Sequence, residues 1–197
     1  MTIHLPLKTL SQWHQVAFCA ALLERMLPNY QMFSEVESFG QSKVLRNQLD
    51  LLWQWLDKSS QCKINFAAQL AKLEEQTPNP ELFDSFGVFP ALDVCMALMS
   101  LLQAIQDKDS DGFANVGRLS ANSVSYYIEL TAAQTAEDNG ELSPEDIKAH
   151  PLMQWERATQ NELFDFLKFS SESKKTCQHA KGLVLEEGLS NLGIAIS

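Results

Sequence analysis

Glycine and proline are scarce in this chain of 197 residues, eight of one and seven of the other. That scarcity excludes collagen-like repeats, low-complexity linkers and a many-turned β-sandwich. Cysteine is scarcer still. Cys19, Cys62, Cys95 and Cys177 fall in separate segments without a CxxC pair, which removes the spaced-thiol zinc sites and predicts reduced, partly buried thiols. Positive charge is short as well, with 15 Lys and Arg against 25 Asp and Glu and a formal net charge of -10 at pH 7. Phosphate backbones are held by clustered cations, so no direct nucleic-acid binding is expected, and the acidic surface reads as a solvated one.

The longest apolar stretch, residues 88–102, contains Pro90 and Asp93 and falls short of the roughly 20 residues that cross a bilayer. Residues 1–10 lack the basic region and apolar core of a secretory signal. The expectation is a cytoplasmic protein without membrane contact.

Catalytic signatures are missing in turn. There is no GxSxG elbow, no Walker loop and no GxGxxG turn. His4, His14, His150 and His179 form no Glu-x-x-His pair of the di-iron kind. The run Asp107-Lys-Asp-Ser-Asp-Gly112 opens like a calcium loop, but Ala114 and Arg118 stand at its eighth and twelfth positions, where a β-branched or Leu-like side chain and a bidentate Glu are needed. It reads as a solvated turn whose carboxylates favour the next helix N-terminus. No metal, no cofactor and no catalytic residue is assigned, and the balance leans against an enzyme.

What is present is helical periodicity. A hydrophobic fraction of 45% supports an all-α fold: one domain over residues 1–197, an antiparallel bundle of about seven or eight helices with short connections. A first helix opens near Ser11, with Val16, Ala20, Leu23 and Leu27 inward. Pro28 ends or kinks it, or starts a short second helix carrying Tyr30 and Phe33. Ser42 is expected to cap the next helix, which has Leu45, Leu49, Leu52 and Leu56 inward, an Arg46–Asp50 pair outside, and Trp53 and Trp55 widening the apolar arc. Asn65 caps another. Residues 90–106 form the most hydrophobic helix and the expected core element, and the small residues Gly117 and Ala121 predict close packing of the helix after it. Ser143-Pro-Glu-Asp146 is a strong start signal, and Pro151 cuts that helix short. The next helix places Leu152, Trp155, Thr159, Leu163 and Phe166 inward, with Glu156, Arg157, Gln160 and Asn161 on the polar side. A last helix ends at Gly188, and its apolar tail either packs back into the core, forms a short edge strand or meets a partner.

Asp93 is the most informative single residue, a carboxylate on an almost unbroken apolar helix. In the first turn after Pro90 it would answer free N–H groups; otherwise it is a ligand-binding or acid-base group. Glu24, Arg25 and Tyr30 are candidate partners. Cys95, among apolar neighbours, reads as packing.

Three stretches, ERMLPNYQMF at 24–33, FGVFPALDVC at 86–95 and SNLGIAI at 190–196, resemble the YjaG-like family of bacterial proteins, a domain of unknown function. The resemblance implies an all-α, single-domain cytosolic protein and carries over no substrate, cofactor or catalytic residue.

Two functional expectations follow. The first is a non-enzymatic protein acting through contacts with a protein partner or a second copy of itself, resting on surplus apolar surface at Trp53, Trp55 and the tail. The alternative is a small-molecule-binding protein or enzyme with a pocket near Glu24, Tyr30 and Asp93.

Overall fold

The structure, a computed structural model, describes residues 3–135 and 142–196. The chain is all-α: among these residues there are eight α-helices and no strand, only an isolated antiparallel bridge between Leu189 and Ala195. The helices are α1 (Gln12–Glu37), α2 (Ser42–Leu56), α3 (Phe66–Glu74), α4 (Val88–Asp107), α5 (Ser110–Thr135), α6 (Pro144–Ala149), α7 (Pro151–Lys168) and α8 (Lys174–Leu185).

The centre is α1, not α4. Every residue of α1 from Gln15 to Leu27 is buried, and α2, α4, α5, α7 and α8 all pack against it. A helix apolar around its whole circumference belongs in the middle of a bundle, and the stripe of four residues expected for it was too narrow. Ser11 caps it as expected, its side chain accepting the His14 N–H. Pro28 neither ends nor restarts the helix, which continues to Glu37. An internal proline leaves a helical carbonyl in the preceding turn without its donor. That carbonyl belongs to Glu24; the next one along, the Arg25 carbonyl, accepts the Asn191 N–H at 3.2 Å from the C-terminal tail. Burial of α1 on all sides lets the helix pass through the proline. Ser38 in the left-handed region then stops it.

The cap of α2 is Gln41 rather than Ser42, and its leucine stripe is buried as expected. Gly40 needs to be glycine, because its φ is +64° and a Cβ there would fall on the Tyr30 hydroxyl. Asn65 caps α3, and Ser143 with Asp146 forms a reciprocal capping box at α6. His150 is itself the cap of α7, its Nδ1 accepting the Leu152 N–H at 3.2 Å.

α4 is 20 residues long with a mean hydropathy of 1.8, the one described helix long and apolar enough to cross a membrane, and 61% of that stretch is buried inside the fold. It packs most extensively on α5. Small residues permit the approach: a Cβ added at Gly112 would lie 2.8 Å from Ala104 Cβ and 3.2 Å from the Ser100 carbonyl oxygen. The acidic turn between these helices carries no metal-binding group of three His, Cys, Asp or Glu among the described residues. Its Asp111 pairs with Lys8 at 2.9 Å.

The expected polar face of α7 is wrong at two positions. Glu156 and Gln160 are 0% and 1% exposed and share the inward stripe of Met153, Leu163 and Leu167, because a partner for each waits in the core. The tail turns back through Gly188 and Gly193, both at positive φ, and buries Ser190, Asn191 and Leu192.

Gly112→Val forces a backbone oxygen and a packed methyl apart. We expect a loss of about 1–3 kcal/mol from overpacking, read as a lower urea midpoint with an unchanged m value.

Candidate functional site

Glu24 and Arg25 are neighbours in sequence and face opposite sides of α1. Glu24 turns to α2 and α8, where it accepts both Arg46 nitrogens at 2.6 and 2.8 Å, Trp53 Nε1 at 2.7 Å and Lys181 Nζ at 2.9 Å. Burial raises its pKa, but the Arg46 and Lys181 hydrogen bonds outweigh that and hold the carboxyl below its usual range. Trp53 is therefore partly buried with its indole N–H satisfied, and Trp55 packs partly buried on the same core. The surplus surface expected at these two tryptophans is largely used within the chain.

Arg25 turns to α7. It is 1% exposed, donates Nη1 to Glu156 Oε2 at 2.5 Å and stacks on Trp155, with the guanidinium carbon 3.8 Å from the ring centroid. Burial pulls its pKa down against the attraction of Glu156, and arginine keeps its charge through such shifts. The other Glu156 oxygen, Oε1, accepts Ser120 Oγ at 2.6 Å and Gln160 Nε2 at 2.7 Å. Asn191 continues the network, its Nδ2 donating to the Ser120 carbonyl at 3.1 Å and Oγ at 3.2 Å, while its Oδ1 accepts Asn29 Nδ2 at 2.7 Å.

Tyr30 donates its hydroxyl to the Gln76 carbonyl at 2.7 Å, and burial raises its pKa. Cys95 lies close by, its Sγ 3.7 Å from the same carbonyl, with burial pushing the thiol up to about 12. It is packing, as expected. Asp93 lies beyond the first turn of α4, since that helix begins at Val88, and its partner is not its own helix: Ser123 of α5 donates to it at 2.6 Å. Burial pushes its carboxyl up to about 6, against the lowering hydrogen bond from Ser123. Glu24, Tyr30 and Asp93 thus take separate partners on different elements and do not converge on one pocket.

A cavity does form beside them, of about 260 Å3. Asn29, Met32, Phe33 and Val36 of α1 make one wall. Ser85, Phe86, Gly87 and Pro90, at the approach and first turn of α4, make another. Tyr127 of α5 and Leu192 and Ile194 of the tail close it. Phe33 is braced by Phe83 at 5.1 Å and Phe39 at 6.0 Å between ring centroids. No wall residue is charged. Two wall residues carry a buried oxygen with no hydrogen-bond partner, Asn29 Oδ1 and Ser85 Oγ. A second groove, about 620 Å3 between α2 and α3, is open and largely polar, with Gln48, Gln69 and Gln76 on its walls. The apolar cavity with few polar groups has the composition of a small-molecule site.

Sequence reasoning missed Asn29, Ser85, Tyr127 and Asn191. It had one usable signal: all three stretches that carry the family resemblance, 24–33, 86–95 and 190–196, contribute walls. For Glu156 and Gln160 the signal was their spacing in the Met153–Leu163–Leu167 stripe, where polar residues at inward positions point to a buried network.

A family model described as "Protein of unknown function (DUF416)" matches residues 2–195. The uncharacterized protein YjaG of Escherichia coli K12 is 37% identical over 196 residues, covering 98% of this chain and 95% of that protein. An uncharacterized protein of Haemophilus influenzae is 32% identical over 195 residues, covering 98% and 96%. The crystal structure of a DUF416 family protein from Shewanella baltica superimposes with a TM-score of 0.85 at 36% identity, covering 96% of each chain.

Removing one partner of the Arg25–Glu156 pair strands a buried charge. Glu156→Ala is expected to cost about 3–5 kcal/mol in urea unfolding, and the double change Arg25→Met with Glu156→Leu to cost less than either single change. Asp93 is raised in the folded state, so its contribution is favourable below its unfolded pKa and is lost as pH rises through about 6. Asp93→Asn should therefore stabilise the protein by roughly 1–3 kcal/mol at pH 7 and by much less at pH 4, measured as the difference in urea midpoints.

Proposed function

This chain belongs to the DUF416 family of bacterial proteins, from which no activity carries over, and we propose from its geometry that it binds a small, uncharged, largely apolar molecule in the cavity between α1, α4, α5 and the tail. The supporting observation is an apolar space of about 260 Å3 walled by α1, the start of α4, α5 and the tail. That volume lies just below the range of drug-sized sites and suits an occupant of roughly a dozen non-hydrogen atoms. Absence of charge in the wall argues for a neutral ligand, because an ion there would be desolvated without a counter-charge. Met32 and Val36 are 49% and 69% exposed, so the mouth presents apolar side chains, that of Met32 flexible, to an entering molecule. The proposal moves the small-molecule reading away from Glu24 and Tyr30, whose polar atoms are already paired.

Contact with a protein partner or a second copy is the competing reading. Its support has shifted from the tryptophans to Phe89 and Met96, seven residues apart on α4 and 46% and 42% exposed. Identical monomers of wild type and Phe89→Glu/Met96→Glu in sedimentation velocity, with no partner retained by the wild type, would remove it.

The cavity reading is tested by a thermal-shift screen of small neutral apolar compounds on wild type and on Gly87→Leu, which fills the space from one wall. At a hundred times its dissociation constant, a native-state ligand adds about 2.7 kcal/mol, roughly 5–10 °C in Tm for a chain of this size. Wild type should respond and Gly87→Leu should not; a flat wild-type response sinks the proposal.

A further inference from the structure

We infer that the face around the cavity mouth docks a basic, apolar-faced segment of a partner protein, in which Lys or Arg side chains flank bulky apolar ones. This goes beyond the ligand-binding reading and stands without it, because it concerns the exposed rim and the neighbouring face of α4 that carries Phe89. The first observation is how the chain distributes its positive charge. Four segments carry the cavity walls: the second half of α1 with the turn after it (26–42), the stretch from the end of α3 through α4 (73–107), the second half of α5 (119–135) and the tail (188–196). Together they hold nine acidic residues and none of the 15 Lys and Arg, nor any histidine. Glu35 and Asp84 are exposed, each next in sequence to a wall residue, Val36 and Ser85. Neither has an ion-pair partner among the described residues. α6, whose Ile147 packs with Leu192 and Ile194 of the tail, adds Lys148 together with Glu145 and Asp146 and leaves the sign as it is.

The second observation is an apolar surface that runs outward from the mouth and is open to solvent. Met32 and Val36 stand exposed at the mouth itself. Phe86, in the cavity wall, lies 6.2 Å from Phe89 and 6.1 Å from Tyr127 between ring centroids. It therefore joins the mouth to the exposed ring of Phe89 on α4, and Tyr126, next to Tyr127 on α5, is 51% exposed. A contiguous apolar face with a charged border marks a contact surface, and the sign of the border selects what covers it. Nucleic acid and an anionic membrane surface bring the same charge and are repelled. A second copy meeting this face with its own sets acid against acid. A segment with apolar side chains and basic flanks meets both demands: its apolar groups cover the rings, and its cations settle on carboxylates that have no cation of their own.

The experiment titrates three fluorescein-labelled peptides into the full chain and follows anisotropy. The first has Leu and Phe at i, i+3, i+4 and i+7 with Lys between them; its twin has Glu at every Lys; the third keeps Lys and has Gln at every apolar position. We expect the first to bind about tenfold or more tightly than either of the others at about 0.05 M salt, with the gap to its twin closing at about 1 M, where the screening length is about 3 Å. Glu35→Lys with Asp84→Lys should turn the preference toward the Glu twin. Val36→Ser with Phe89→Ser should abolish binding of the first peptide. All four side chains are exposed, so the fold is kept, and the comparison of the twins on wild type needs no variant. Equal binding of the twins or of the Gln peptide, binding that survives Val36→Ser with Phe89→Ser, or no binding at all overturns the inference. Self-association of the wild type that the same pair removes, read by sedimentation velocity, assigns the face to a second copy and overturns it as well. None of these outcomes touches the cavity reading, which the neutral compounds and Gly87→Leu test separately.

Discussion

A charge in a protein interior has to be answered, and at the centre of this bundle Arg25 is answered by Glu156. Much of the arrangement depends on that pair. One carboxylate oxygen holds the guanidinium of α1, and the other gathers Ser120 of α5 and Gln160 of α7. Gln160 also donates to the Gly117 carbonyl at 3.0 Å, and a Cβ at Gly117 would stand 2.8 Å from its Oε1, so the small residue and the amide fit one another. Three helices are thus fixed in register by polar contacts within an otherwise apolar core. An ion pair of this kind contributes little net stability beyond what packed apolar side chains would give, but it penalises wrong registers, since each leaves a buried charge unpaired. A leucine stripe alone tolerates a slide by one turn; the stripe of α7, with Glu156 inside it, does not.

Pro28, the tail and the cavity are parts of one arrangement. In the turn before the proline the Arg25 carbonyl takes the tail N–H of Asn191, and the side chain of the same asparagine joins Asn29 to the ionic network. Leu192 and Ile194, one and three residues further on, then become cavity wall. Glu24, on the opposite side of α1, gathers Arg46, Trp53 and Lys181 into a separate cluster that ties α1 to α2 and α8. Adjacent acidic and basic residues on the central helix therefore organise opposite halves of the bundle.

Helix class, the capped starts at Ser11, Asn65 and Ser143, the buried stripe of α2 and the returning tail were all legible in the sequence, because caps and periodicity are local properties. Three things were not. Pro28 reads locally as a breaker, and only the remote helices packed around α1 carry the helix through it. Glu156 and Gln160 read as a solvated face, because hydrophobic patterning assigns charge to the outside and has no means of seeing Arg25 across the core. Asp93 looked like a first-turn carboxylate because Pro90 was taken as the helix start; the helix begins two residues earlier and the carboxylate meets Ser123 instead. The cavity follows the same logic. Its walls come from four segments remote in sequence, three of which were visible only as patches of family likeness.

The remote closure at Asn191 bears on how the chain reaches this state. Helical bundles usually fold quickly because their contacts are local, yet here the Asn29–Asn191 contact spans 162 residues and the Arg25–Glu156 pair spans 131. During synthesis α1 emerges well before Glu156 and Asn191, the partners of its Arg25 and Asn29. A segment made much later than the first helix satisfies it, so completion of the core is a late event, and a chain cut short before residue 191 is left with an incomplete interior for quality-control proteases to recognise.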